Sequence, residues 1–147
     1  VLLQRGATQV VALDVGHNQL DWRIRSDPRV IVREGVNART LSPADVPIPV
    51  DLVVIDVAFI SLRLILPALV GLLPHGADII ALVKPQFEAG RDEVGKHGLV
   101  TDPAVHDAVI ARVTETAESL GFQRRALTPS PITGATGNRE FLLHLEA

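Results

Sequence analysis

Residues 79–84, Ile-Ile-Ala-Leu-Val-Lys, decide the fold: an unbroken apolar run that ends on a single charge. A short run without alternation suits a strand buried on both faces, as in a parallel sheet covered by helices. Four other segments read alike: Gln9-Val10-Val11-Ala12-Leu13 ahead of Asp14, Val30-Ile31-Val32, Asp51 to Asp56, and Phe141 to Leu145. Helical stretches lie between them. The clearest follows Asp102-Pro103, a capping residue with proline at the first helical position, and places Val105, Val109, Val113, Ala117 and Leu120 in one stripe before Gly121. Ser61 to Leu73 is helical in character, with Pro67 forcing either a kink or a later start. Gly16 to Arg25 is a shorter helical segment closed by Asp27-Pro28, and Ser42 to Pro49 is a proline-punctuated loop. Strands alternating with helices predict an open, doubly wound α/β sheet, mostly parallel, with ligands bound beyond the carboxyl ends of the strands.

Composition narrows the function. A chain of 147 residues, 47% of them hydrophobic, is expected to form one compact soluble domain and is too apolar for disorder. Its net charge of −3 gives no overall positive field, so RNA binding must be local or come from elsewhere. No apolar run reaches the roughly 18–20 residues of a membrane span. The absence of cysteine excludes disulfides and thiolate metal sites and suits a reducing cytoplasm, the expected location. There is no methionine, even at position 1, so the sequence reads as part of a longer chain. Val1 to Gly6 reads as the closing turn of a helix, with Gly6 after its cap.

Seven polar residues fall where ligands are expected. Asp14 ends the first strand, where an acidic side chain in nucleotide-binding folds accepts from ribose hydroxyls about 20 residues after a glycine-rich loop. That count reaches back before Val1, and capping a helix near Asn18 is the competing role. Asp56 ends another apolar strand, with capping of the next helix as its alternative, although Ser61 is the better cap. Lys84 stands out because the chain uses arginine twelve times and lysine twice, and lysine can lose its proton where arginine stays charged. An ion-paired or snorkelling lysine is the plainer reading. The glycine-spaced loop after it carries Arg91, Lys96 and His97, a small positive patch suited to RNA phosphates or simply a solvated loop. Glu140 follows a tight loop from Ser130 to Arg139 and can aim a carboxylate into the same cleft, or pair with Arg139 or Arg125. The five histidines show no metal-ligand spacing, and there is neither a nucleophile elbow nor a Walker loop.

Together, Leu2-Leu3-Gln4-Arg5-Gly6-Ala7, Ala12 to Leu20, Asp56-Val57-Ala58-Phe59-Ile60-Ser61-Leu62, Val83 to Gly90, Ser130-Pro131-Ile132 and Gly137-Asn138-Arg139-Glu140-Phe141 resemble one family. It is that of the TlyA (hemolysin A-type) ribosomal RNA methyltransferases, whose catalytic domain is FtsJ-like. The resemblance spans nearly the whole chain. It implies a Rossmann-like, S-adenosylmethionine-dependent fold, methyl transfer to a ribose 2′-hydroxyl of ribosomal RNA, and an S4-like RNA-binding domain upstream. Residues 1–147 would then be a partial catalytic domain whose first strand, cofactor loop and first catalytic lysine precede Val1. The family's catalytic set places Asp56, Lys84 and Glu140 in its last three positions. The resemblance also makes Asp14 a ribose ligand of the cofactor, with Val15 beside the adenine and Asn37 near the base. Ala58 departs from the serine that many members carry.

Two other readings compete. One is a truncated, non-catalytic remnant that at most contacts RNA or a partner. A nicotinamide-dependent oxidoreductase on the same fold is the other, and the Lys84 loop speaks against it. Loss of a central strand would expose apolar strand edges and invite self-association. Nothing is amphipathic or long enough to act as a pore former.

Overall fold

The computed structural model describes all residues from Val1 to Ala147, which form two compact units, Val1–Ile48 and Pro49–Ala147. No helix is long and apolar enough to cross a membrane.

The first unit opens with a 3₁₀ turn, Leu3–Arg5, closed by Gly6 in the left-handed region at φ 100°, as the sequence predicts for a helix ending. Strands β1 (Val10–Asp14) and β2 (Val30–Glu34) pair in parallel, Val10 opposite Val30 through Asp14 opposite Glu34. Helix α1 spans only Trp22–Arg25, shorter than the Gly16 to Arg25 segment. Asn18 sits at φ 58°, outside right-handed helical space, and Asp21 supplies the cap by accepting from Arg23 N at 2.8 Å. Asp14 therefore caps no helix. Its Oδ1 accepts from Gly16 N at 2.6 Å and closes the turn directly after β1.

The second unit is built on a four-stranded sheet in the order β3 (Leu52–Ile55), β4 (Asp78–Val83), β6 (Phe141–Glu146), β5 (Gln123–Pro129). Strand β4 runs parallel to β3, and β6 runs antiparallel to both β4 and β5, so three of the four strands share one direction. The expected α/β sheet is thus present but mixed, since the reversed β6 makes two of its three pairings antiparallel. Its faces are less alike than the apolar runs suggest. Ile79, Ala81 and Val83 on β4 and Phe141, Leu143 and Leu145 on β6 are buried, while the residues between them are half-buried. The sealed face packs with Val109, Val113 and Ala117 of helix α3 (Pro103–Ser119) and with Leu62, Leu66 and Leu69. Each Val, Leu, Ile or Phe among them contributes about 1.5–3 kcal/mol by leaving water.

Helix α3 starts as the sequence indicates, with Asp102 accepting from Ala104 N at 2.8 Å and proline in the first turn. The helix read over Ser61 to Leu73 does not form. Two 3₁₀ turns replace it, Leu62–Leu64 and Leu66–Leu69. Pro67 has no N–H to donate, and its ring would meet the carbonyl four residues back in an α-helix. Strand β5 was not visible as an apolar run. Gln123, Arg124, Arg125 and Ala126 are exposed along an edge whose partner β6 carries the apolar residues.

Candidate active site

In the second unit the carboxyl ends of β3 and β4 lead into two loops. Asp56 directly follows β3, and Lys84 directly follows β4, where it stands before Pro85 at the start of the single-turn helix α2 (Pro85–Glu88). Lys84 Nζ lies 2.7 Å from Asp56 Oδ1, with the lysine side chain 16% exposed and the aspartate 65% exposed. Asp56 thus serves as an ion partner. The capping role falls to Ser61, whose Oγ accepts from Arg63 N at 3.2 Å. Lys84 Nζ also lies 6.0 Å from the centre of the Phe87 ring.

Glu140 reaches the same end of the sheet from the opposite direction. Val83 is paired with Phe141, so Lys84 and Glu140 are the next residues along the antiparallel ladder. The Glu140 carboxylate is buried and makes no ion pair with either arginine considered for it. Arg125 is held by Glu146 at 2.6 Å, and Arg139 lies over the Phe141 ring. Its partner is Gln86 Nε2, which donates to Oε1 at 2.9 Å. The same oxygen would lie 2.6 Å from a Cβ placed on Gly134, so only glycine lets the carboxylate rest there.

Three further residues shape this end of the unit. Glu88 is 6% exposed and accepts from Ser61 Oγ at 2.5 Å and Leu62 N at 2.6 Å. Burial pushes its carboxyl above the ordinary glutamate value, against the Ser61 and Leu62 bonds that lower it. Phe59 is 91% exposed, holds a left-handed φ of 62°, and lies with its ring 5.1 Å from that of Phe87. Asn138 is fully buried and ties the loop before α3 in place, accepting from Val100 N at 2.9 Å and donating to Gly98 O at 2.8 Å. Arg91 and Lys96 project from that loop as exposed side chains, beside Asp92 and Glu93, and His97 is in the left-handed region. Gln86, Glu88 and Gly134 were missed by sequence reasoning. Their partners lie 54, 27 and 6 residues away, and only the motif around Lys84 could have singled out the first two.

In the first unit Asp14, Val15 and Asn37 gather at the carboxyl ends of β1 and β2. Val36 N donates to Asp14 O at 3.1 Å and Gly35 N to Gly16 O at 3.2 Å, which joins the two segments beyond the strands. Asp14 uses Oδ1 on Gly16 N, leaving Oδ2 for a ligand's hydroxyls. Val15 is exposed, and Asn37 accepts from Arg39 N through Oδ1, leaving its amide group to donate. An acceptor, an exposed apolar side chain and a donor on one rim are a chemical set suited to a nucleoside. No group of three or more His, Cys, Asp or Glu side chains is placed to hold a metal ion.

A family model described as FtsJ-like methyltransferase matches residues 1–147. The 16S/23S rRNA (cytidine-2′-O)-methyltransferase TlyA of Mycobacterium tuberculosis is 50% identical over 99% of this chain and 54% of its own length. A Lactococcus lactis protein solved under a hemolysin label superposes with a TM-score of 0.95 at 52% identity, over 99% of this chain and 70% of that one. A SAM-dependent methyltransferase of Methanosarcina mazei shares the fold alone, with a TM-score of 0.60 at 14% identity, over 94% of this chain and 81% of that one. The chain spans about half the length of the curated relatives it matches.

Proposed function

Because the chain belongs to the FtsJ-like methyltransferase family, we propose that its protein transfers a methyl group from S-adenosylmethionine to a ribose 2′-hydroxyl of ribosomal RNA. The observation that carries this reading is the Lys84–Asp56 pair at 2.7 Å, with Glu140 next to Lys84 along the β4–β6 ladder. The M. tuberculosis relative's name supplies the substrate class.

S-adenosylmethionine supplies a methyl group on a positively charged sulfur, already reactive toward an oxygen nucleophile. Asp14 would hold its ribose hydroxyls, with Val15 against the adenine and Asn37 donating to the base. The protein's remaining tasks are alignment and proton removal. Lys84 Nζ would accept or steer the proton that leaves the 2′-hydroxyl when that oxygen takes the methyl group. Asp56, 2.7 Å from Nζ, would hold its orientation and charge state. Glu140, held by Gln86 and walled by Gly134, adds a second fixed negative charge at this end of the sheet.

Arg91 and Lys96 contact RNA phosphates in this reading, from a loop pinned by Asn138. A net charge of −3 leaves most of the RNA grip to other parts of the protein, which works in the cytoplasm where its substrate is. The test is to incubate the full-length protein with methyl-labelled S-adenosylmethionine and ribosomal subunits, then digest the RNA to nucleosides for mass spectrometry. Label on the ribose is expected. Label on a base would overturn the assignment of the acceptor, and no label would overturn the activity.

A further inference from the structure

Short as it is, α2 sends side chains to the segments on both sides of it. Gln86 donates to Glu140 on one side, and Glu88 grips the loop that carries Asp56 on the other. This second contact gives the two loops three successive ties: Asp56 to Lys84 at 2.7 Å, Phe59 to Phe87 at 5.1 Å between ring centres, and Ser61 and Leu62 to Glu88. The ties keep step along both segments.

The outer ties matter because Asp56 cannot hold itself. Its side chain is 65% exposed, so packing does not fix it, and its position follows that of its backbone. Glu88 is where that backbone is anchored. A buried carboxylate is costly unless its lone pairs are met, and an apolar side chain would close the same space more cheaply. An apolar side chain could not accept from donors on two consecutive residues, and Glu88 does, with Oε2 on Ser61 Oγ and Oε1 on Leu62 N. The Arg63 guanidinium, 3.8 Å from Oε2, offsets part of the buried charge.

We infer that Glu88 is a positioning residue, whose carboxylate sets the register of the Asp56 loop against the Lys84 turn so that the Asp56–Lys84 contact forms. Its consequence for catalysis rests on the methyl-transfer reading above, whereas the register itself does not. Losing the anchor lets Asp56 drift while the cofactor residues on the other unit stay as they are.

The test compares Glu88→Ala and Glu88→Gln with wild type in the full-length protein. Two readouts are taken: kcat and KM for S-adenosylmethionine on ribosomal subunits, and amide hydrogen exchange at Leu62. For Glu88→Ala, kcat is expected to fall on the order of 10²-fold, the cost of misplacing a group by about 1 Å, with the cofactor KM within about twofold. The Leu62 amide should exchange faster, on the order of tenfold, once its acceptor is gone. In Glu88→Gln the carbonyl still accepts from Leu62 and the amide donates to Ser61 Oγ, so most of kcat should return. An unchanged kcat in Glu88→Ala, or a loss carried by KM alone, would overturn the inference. If Glu88→Ala does not fold, Ser61→Ala removes one donor and should lower kcat several-fold, and an unchanged kcat there overturns it equally. If wild type itself transfers no methyl, the functional reading fails separately. Leu62 exchange in the variants then decides the register: faster supports it, unchanged overturns it.

Discussion

Replacing Gly134 with alanine tests how tightly Glu140 must be held. A Cβ at residue 134 would lie 2.6 Å from Glu140 Oε1 and 3.2 Å from Cδ. Real Cβ contacts almost never fall under 3.0 Å and become ordinary at 3.4 Å, so the carboxylate must retreat by about 0.4 to 0.8 Å. Backbone strain is not the cause, since Gly134 is not among the glycines with positive φ. Retreat pulls Glu140 from its 2.9 Å bond with Gln86, inside a buried site with little room to adjust. Misplacement by about 1 Å costs on the order of 10²-fold in rate, so Gly134→Ala should lower kcat by about 10- to 100-fold. Gly137→Ala is the matched comparison: its added Cβ meets nothing within 4 Å, but its φ of 87° strains alanine. That variant should lose about 1–2 kcal/mol of stability and little kcat. The assay is steady-state methyl transfer by the full-length protein alongside thermal unfolding. A Gly134→Ala enzyme with wild-type kcat, or one slowed no more than Gly137→Ala, would refute the steric reasoning.

Asp14→Ala removes the acceptor assigned to the cofactor ribose and should raise the KM for S-adenosylmethionine at least tenfold, from the roughly 1.5–3 kcal/mol of a hydrogen bond to a charged group, with kcat nearly unchanged. Leu143, fully buried on β6, should cost about 2–5 kcal/mol in urea unfolding when cut to alanine, and a loss under about 1 kcal/mol would contradict its place in the core. The Arg29 guanidinium beside Asp27 holds its carboxyl down at about 2, against the ordinary 3.8. A depressed folded value means that this pair's contribution is complete above the ordinary value and is lost as pH falls through about 2. Carbon NMR titration of Asp27 should show that midpoint, and Arg29→Ala should return it toward 3.8.

The strands that carry the site were legible because burial left its mark on composition. Ile79 to Val83 and Phe141 to Leu145 read as strands because their alternate residues form the sealed face and their neighbours remain largely apolar. Strand β5 left no such mark, since an exposed edge needs hydrogen bonds from β6 and no apolar side chains of its own. The segment after Ser61 misled for the opposite reason. Its leucines are buried, as helical spacing suggests, but Pro67 converts the path into two tight turns. At the candidate site, Asp56, Lys84 and Glu140 could be singled out because each stands where an apolar run meets a polar loop. The contacts that fix them were hidden: Glu88 meets Ser61 across 27 positions and Gln86 meets Glu140 across 54, and no local pattern encodes such pairings. The arginine pairing weighed as the alternative for Glu140 does not form, and its carboxylate meets the Gln86 amide instead.

The most direct measurement of the central claim is methyl transfer to ribosomal RNA by full-length wild-type protein and its Lys84→Ala variant, scored as alkali-resistant linkages. A 2′-O-methyl group blocks the hydroxyl that alkaline cleavage requires, so each transfer to a ribose leaves one resistant step. With wild type, a resistant linkage carrying the label is expected, and with Lys84→Ala its rate of formation should fall by about 10²- to 10⁴-fold, the usual worth of a positioned proton acceptor. Wild-type rates from Lys84→Ala, or label confined to alkali-sensitive positions, would contradict it.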